Sequence, residues 1–131
     1  MIQLHKSANT FLFTSFLLLL GLLIVLQNAG YRNPLFIWAQ RLPYHDKLGH
    51  FFLFGGLSFF AILAIAPKLG DHHGKSACKI GSWIAFVAAL EESSQRFLAN
   101  RTFSLGDYFA NLLGITVLGA LAYLVIKTLR K

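Results

Sequence analysis

We predict that this chain folds as an all-α membrane protein, with four transmembrane helices in an antiparallel bundle and both termini in the cytoplasm. Its 131 residues are 56% hydrophobic and only 13% charged, which is too apolar for an ordinary soluble domain of this length. Several apolar runs also approach or reach the length of about 20 residues that a helix needs to cross a bilayer core. These runs lack the polar face, repeated at the helical period, that a helix in a soluble bundle would show.

The first predicted span, residues 9–27, lies in an almost uninterrupted apolar run. This run is longer than the hydrophobic part of a typical signal peptide. Cleavage after Ala29 would also require a small residue at the position of Gln27. We therefore expect the segment to be retained as a transmembrane helix.

A polar connection, residues 28–45, follows the first span and contains turn-forming residues such as Gly30 and Pro34. Its apolar stretch 35–39 is too short to cross a bilayer. We expect this stretch to lie at the membrane interface, with Trp38 at the depth of the lipid headgroups.

Three further spans complete the predicted bundle. The second, 48–66, ends before Pro67, which would break a helix, and a loop rich in Gly, His and Lys occupies 68–79. The third and fourth spans are 80–98 and 107–126, joined by a polar turn. We treat residues 1–131 as a single membrane domain.

The distribution of basic residues predicts the orientation. Four spans place both termini on one side, which would carry seven of the twelve basic residues. Since cytoplasmic loops carry an excess of Lys and Arg, this side is predicted to be the cytoplasm. The net charge of +7 does not indicate nucleic-acid binding, because the basic residues lie at the ends of the apolar runs. With Cys78 as the only cysteine, an internal disulfide and a cysteine-based zinc site are excluded.

Three polar pairs fall at the opposite, outer end of the predicted bundle. Members of each pair are three or four residues apart and so share a helix face. The pairs are Asp46 with His50, Glu92 with Gln95, and Asp107 with Asn111. Four of the five acidic residues gather at this level, whereas Asp71 lies in the predicted cytoplasmic loop. Ionisable groups in or beside membrane helices are costly, so this grouping predicts a functional site.

The polar residues also form two sequence blocks. The first is Asp46-Lys47-x2-His50-Phe51-x2-Phe54-x2-Leu57, and the second is Glu92-x2-Gln95-x5-Arg101-x5-Asp107-x3-Asn111-x2-Gly114. Over residues 44–119 this pattern resembles the VanZ-like family of small bacterial membrane proteins. The resemblance implies a four-helix protein of the bacterial cytoplasmic membrane, related to a protein associated with resistance to the glycopeptide teicoplanin. The site residues that it implies are Asp46, Lys47, His50, Glu92, Gln95, Arg101, Asp107 and Asn111.

Three interpretations of these residues remain open. In the first, they form a structural ion-pair network, with Arg101 between the carboxylates of Glu92 and Asp107. In the second, they line a pocket near the outer leaflet that binds a polar headgroup. Metal binding is the narrower alternative, with ligands of suitable type in Asp46, His50, Glu92 and Asp107. We expect no metal and no cofactor, because Lys47 and Arg101 would repel a cation.

The predicted function is that of an accessory protein that binds a lipid or an envelope precursor, with a role in glycopeptide resistance or envelope homeostasis. An intramembrane enzyme acting on such a lipid is the alternative, with His50 or Glu92 as general base, and a purely structural membrane subunit is the third possibility. We expect the polar residues of the three later spans to lie in mutual contact. The first span has no charged residue within 11–26 and is expected to contribute packing only.

Overall fold

The structure, a computed structural model, describes residues 2–32, 34–70, 72–99 and 101–129, in which all regular secondary structure is helical. The α-helices are α1 (Ile2–Asn28), α2 (Pro34–Ala39), α3 (His45–Ile65), α4 (His73–Ser94) and α5 (Leu105–Leu129). Short 3-10 turns cover Ala66–Lys68 and Gln95–Phe97. The predicted all-α fold is therefore confirmed. The expectation for Asp71 falls outside the described residues.

The first long helix, α1, packs antiparallel to α3. Near the start of α1, Thr10 accepts a hydrogen bond of 3.0 Å from Lys68, which follows the end of α3. Further along α1, the ring of Phe16 packs on Phe60, with the ring centroids 5.3 Å apart. Positions later in α1 thus meet positions earlier in α3.

The helices α3 and α5 run parallel to each other, and α4 returns the chain between them. Contact pairs along α3 and α5 advance together: Lys47 with Asp107, His50 with Asn111, and Ser58 with Ile115. Contact pairs between α4 and α5 run in the opposite order: Gly74 with Tyr123 and Gly81 with Ile115. Successive long helices are therefore antiparallel, as predicted.

Three of the described helical segments are long and apolar enough to cross a membrane, namely Ser7–Asn28, His45–Lys68 and Leu105–Leu129. The remaining long helix, α4, has 22 residues but carries charged side chains near both ends. Because α3 and α5 point the same way, α4 passes back over the same height as its neighbours. The predicted third span thus corresponds to the least apolar of the four long helices.

Close contact between α3 and α5 depends on small residues. A methyl group on Gly55 would lie 2.8 Å from the carbonyl oxygen of Gly114, and one on Gly114 would overlap the carbonyl oxygen of Phe51. Glycines permit this backbone approach, as is common between membrane helices. The hydroxyl of Ser58 donates a 3.3 Å hydrogen bond to the carbonyl oxygen of Ile115 across the same contact.

The structure corrects the predicted bounds of the third span. The helix α4 begins at His73 rather than in the region of residue 80, so the second half of the predicted loop 68–79 is helical. His73 is buried, and its Nδ1 lies 3.2 Å from the carbonyl oxygen of Ala66. Packing against the end of α3 therefore supports a first helical turn that a composition of Gly, His and Lys does not indicate.

The structure also shows how α4 ends and which structure the short apolar stretch 35–39 adopts. α4 ends at Ser94, and the predicted last turn of the span is the 3-10 turn Gln95–Phe97. The apolar stretch 35–39 forms the short helix α2, which begins at Pro34. Proline suits the first turn of a helix, because its missing N–H would have no partner there.

Candidate functional site

The candidate site lies at the end of the bundle where α3 begins, α4 ends and α5 begins. The i, i+4 spacing on α3 and on α5 places the polar side chains of each helix on one face. The parallel packing of α3 and α5 then sets these two faces against each other. The first turns of both helices bring an acidic residue to the site, Asp46 from α3 and Asp107 from α5.

His50 stands at the centre of this arrangement. Its Nδ1 lies 3.0 Å from the side-chain oxygen of Asn111, which is fully buried. That oxygen accepts, so Nδ1 is the donor of this hydrogen bond, and Nε2 lies on the other side of the ring. Nε2 lies 3.9 Å from Oδ1 of Asp46 and 3.8 Å from Oδ2 of Asp107.

The two carboxylates beside His50 differ in their surroundings. The side chain of Asp107 is only 6% exposed, whereas that of Asp46 is 61% exposed. Oδ1 of Asp107 accepts a 3.3 Å hydrogen bond from Lys47 Nζ, and the Lys47 side chain is 51% exposed. The site is thus buried on the α5 side and open on the α3 side.

Ser104 joins Glu92 of α4 to the start of α5. Its backbone N–H donates a 2.8 Å hydrogen bond to Oε1 of Glu92. Its hydroxyl lies 3.3 Å from the backbone nitrogen of Asp107, whose N–H donates to it, as expected for a residue that caps a helix N-terminus. A serine three positions before an acidic residue and ahead of an apolar run is a recognisable capping signal, which the prediction of the site did not include.

Two buried polar atoms at the site have no hydrogen-bond partner among the described residues. They are Oε2 of Glu92, whose residue is 1% exposed, and Nδ2 of Asn111, whose residue is fully buried. Leaving a buried polar group unpaired costs about 1–3 kcal/mol, and more for a charged group.

A second polar group lies beside the first and includes Arg101. The side-chain amide of Gln95 donates to both carboxylate oxygens of Glu91, at 3.0 and 3.1 Å. The oxygen of the same amide accepts a 3.3 Å hydrogen bond from Nε of Arg101. Nη1 of Arg101 donates to the side-chain oxygen of Gln27, at the end of α1.

This second group corrects two predictions. Arg101 does not form an ion pair with Glu92 or Asp107 within the described residues, because the amides of Gln95 and Gln27 hold its guanidinium. The helix α1 contributes more than packing, since Gln27 is one of these partners. Gln27 directly follows the last apolar turn of α1 and is therefore placed at the level of the polar cluster.

The predicted site residues thus divide into two connected groups. The first contains Asp46, Lys47, His50, Asp107 and Asn111, with Glu92 linked to it through Ser104. The second contains Gln95 and Arg101, with Glu91 and Gln27. Arg96 belongs to neither group, because its guanidinium lies over the ring of Phe103, 4.0 Å from the centroid.

Two cavities lie at the opposite end of the bundle. One is lined by His72, His73, Tyr123 and Lys127, and the other by Ser7, Thr10, Thr14 and Lys68. Neither includes a residue of the polar groups described above. Within the candidate site, the side chains of Asp46 and Lys47 are exposed.

Comparisons with known proteins found no match: no protein-family model matches the chain, and no curated protein or solved structure is significantly similar to it. The fold and the site together define a helical bundle with three helices apolar enough to cross a membrane and a polar cluster at one end.

Proposed function

We propose that this chain is a VanZ-like accessory protein of the bacterial cytoplasmic membrane. In this proposal it binds the phosphate-bearing headgroup of a lipid or a lipid-linked envelope precursor. The binding place is the end of the bundle where α3, α4 and α5 meet, facing the outer leaflet. The observation that carries the proposal is a half-exposed lysine, Lys47, beside a buried cluster in which some polar atoms have no hydrogen-bond partner among the described residues.

The outer surface of the bundle supports a lipid environment. Large apolar side chains are exposed on all four long helices, among them Phe11, Leu18, Phe52, Trp83, Phe109 and Leu121. Contiguous apolar surface of this kind is unfavourable in water and is normal where helices face lipid. A ligand that already resides in the membrane would reach the site by lateral diffusion.

Two basic side chains at this end of the bundle, Lys47 and Arg101, could contact an anionic headgroup. Lys47 donates to only one oxygen of Asp107, and its ammonium can offer further hydrogen bonds to a ligand. Arg101 uses two of its five N–H donors on amide oxygens, and neither partner neutralises its charge. Phosphate accepts several charge-assisted hydrogen bonds at once, which suits the ammonium group of Lys47.

The proposal is tested by measuring lipid binding to the purified protein by native mass spectrometry. The probes are phosphatidic acid, which exposes a phosphate, and diacylglycerol with the same acyl chains, which does not. We expect phosphatidic acid to bind more tightly. Replacement of Lys47 by Met should weaken phosphatidic acid binding about tenfold, since one charge-assisted hydrogen bond is worth about 1.5 kcal/mol.

Arg41→Met is the matched control, because Arg41 is exposed, lies shortly before α3 and loses the same charge. It should leave phosphatidic acid binding unchanged. An equal loss in both variants would mean that binding follows the overall charge and not the proposed site. Equal affinity of the parent protein for the two lipids would also contradict the proposal.

A further inference from the structure

We infer that Asp46, His50 and Asp107 form a binding site for a divalent transition-metal ion, with zinc as the ion that best matches the ligands. One ligand atom from each of these residues lies within 4.8 Å of the other two. Imidazole nitrogen and carboxylate oxygen are both common zinc ligands, and three protein ligands leave a fourth position for water or another ligand. The inference uses side-chain geometry alone and does not rest on the proposed headgroup binding.

The distances favour a metal site over a hydrogen-bonded ion triad. Nε2 of His50 is 3.8 and 3.9 Å from the nearest oxygens of the two aspartates. These distances exceed the range of about 2.7–3.2 Å for N–H···O hydrogen bonds. Ligand atoms bound tetrahedrally at about 2.0–2.1 Å from zinc are about 3.3 Å apart from one another. The two distances from Nε2 would therefore shorten by about half an ångström on coordination. The oxygens of the two aspartates, which lie within 4.8 Å of each other, would also move closer together.

The ring of His50 is already oriented as a ligand. A metal-binding histidine generally donates its other ring N–H to an oxygen atom, which fixes the tautomer. The side-chain oxygen of Asn111 takes this role at 3.0 Å from Nδ1. The His50 side chain is only 10% exposed, so its packing holds Nε2 towards the two aspartates.

The two carboxylate oxygens of Asp107, like the two ring nitrogens of His50, have different partners. Lys47 binds Oδ1, and Oδ2 is the oxygen that faces His50. Metal-bound carboxylates are usually hydrogen-bonded through their second oxygen. Lys47 therefore supports the ligand from the outside, and half of its side chain remains in contact with solvent. In this arrangement Lys47 does not exclude a cation, contrary to the expectation from the sequence, because its charge is paired with Asp107. The guanidinium of Arg101 is held elsewhere, by the amides of Gln95 and Gln27.

An independent observation points to a ligand beside these three residues. Oε2 of Glu92 is buried without a hydrogen-bond partner among the described residues, and Oε1 of the same carboxylate is linked through Ser104 to the turn of α5 that holds Asp107. A buried carboxylate oxygen without a partner is strongly unfavourable. A dication next to it, or a water bound to that dication, would supply the missing partner. The exposed Asp46 provides the route by which the ion enters.

The test uses the full chain purified in detergent, with any affinity tag removed and metal stripped by a chelator. Isothermal titration with zinc chloride at neutral pH should give one bound ion per chain. Asp46→Asn and His50→Gln should each weaken zinc binding at least tenfold, since each removes one of three ligands. His45→Gln is the matched control, because His45 is on the same helix, is exposed and has its Nδ1 3.0 Å from the carbonyl oxygen of Leu42, outside the candidate site.

A second measurement separates metal loss from misfolding. The Asp46 side chain is largely exposed, so Asp46→Asn should retain the helical circular dichroism and the elution volume of the parent protein. Zinc should raise the unfolding temperature of the parent and of His45→Gln, but not that of Asp46→Asn. Absence of zinc binding to the parent would overturn the inference. Equal zinc affinity in Asp46→Asn, or an equal loss in His45→Gln, would overturn it as well.

Discussion

At the scale of single residues, His50 organises the polar cluster. Both nitrogens of its ring face polar groups, with Asn111 on one side and two aspartates on the other. The ring thereby connects the first turns of α3 and α5. A ring that is hydrogen-bonded through Nδ1 and only 10% exposed has little freedom to rotate, which is a requirement for a metal ligand.

Glu92 is the residue at which a structural role and a functional role can be separated. Replacing Glu92 by Gln keeps an oxygen that can accept from the backbone N–H of Ser104, now at 2.8 Å. The new amide also offers a donor where an oxygen is now unpaired. We therefore expect Glu92→Gln to reach the membrane in the same amount as the parent. Because the substitution removes the negative charge of Glu92, we expect the variant to lose any protection against glycopeptide or envelope stress. Membrane abundance and drug sensitivity, measured in parallel, check this prediction.

Ser93→Ala provides the control for Glu92→Gln, because Ser93 is the next residue on α4 and is exposed. It should behave as the parent in both measurements. Parent-like protection by Glu92→Gln would show that the charge of Glu92 has no functional role. Reduced abundance of Glu92→Gln would instead assign Glu92 to the structural network.

At the scale of elements, the contact between α3 and α5 determines the geometry of the site. Glycines let the two backbones approach, and this approach brings Lys47 to Asp107 and His50 to Asn111. The helix α4 and the turn after it cover the cluster from one side. The end of α1 reaches the neighbouring polar group through Gln27.

Replacement of Gly114 by Ala should disrupt this contact. The added methyl group would overlap the carbonyl oxygen of Phe51, which belongs to helix backbone and cannot move aside as a flexible side chain can. Overpacking of this kind costs about 1–3 kcal/mol. We expect the free energy of unfolding to fall by this amount. Titration with a denaturing detergent, followed by circular dichroism, measures it.

Gly21→Ala is the matched control on α1, since a methyl group on Gly21 would meet no atom within 4 Å. Alanine is favoured over glycine in a helix by about 0.5–1 kcal/mol, so this change should be neutral or slightly stabilising. A similar loss of stability in both variants would contradict the importance of the α3–α5 contact.

At the scale of the whole molecule, the polar groups and the cavities are separated along the bundle axis. The polar groups occupy one end, and the cavities lined by His73 and by Lys68 occupy the other. The orientation of the bundle therefore decides which side of the membrane the candidate site faces.

We expect reporter fusions to place the candidate site on the outer side of the membrane. Fusions in the region after Pro67 and at the C-terminus should report the cytoplasm, and a fusion within 28–43 should report the outside. The excess of basic residues on the side of the termini is the physical reason. The reverse pattern would move the site to the inner leaflet. A C-terminal fusion that reports the outside, with the fusion after Pro67 still in the cytoplasm, would show that α4 and α5 do not both cross.

The sequence by itself determined the helical fold, the order of the long helices and the end of the bundle at which the polar residues meet. Each of these follows from local properties. The length of an apolar run predicts a helix, and position within the run predicts the height of a side chain along the axis. For this reason the sequence already places His50, Glu92 and Asn111 at one level.

Only the tertiary structure decided which partner each polar side chain takes. Partner choice depends on how each helix is rotated about its axis and on the path of the turn between α4 and α5, which packing sets. Arg101 therefore binds the amides of Gln95 and Gln27 instead of carboxylates. Packing also decides that α4 begins as early as His73, because this buried residue is supported by the end of α3. Helical periodicity predicts which residues share a face of one helix. It does not predict these contacts, which join different segments of the chain.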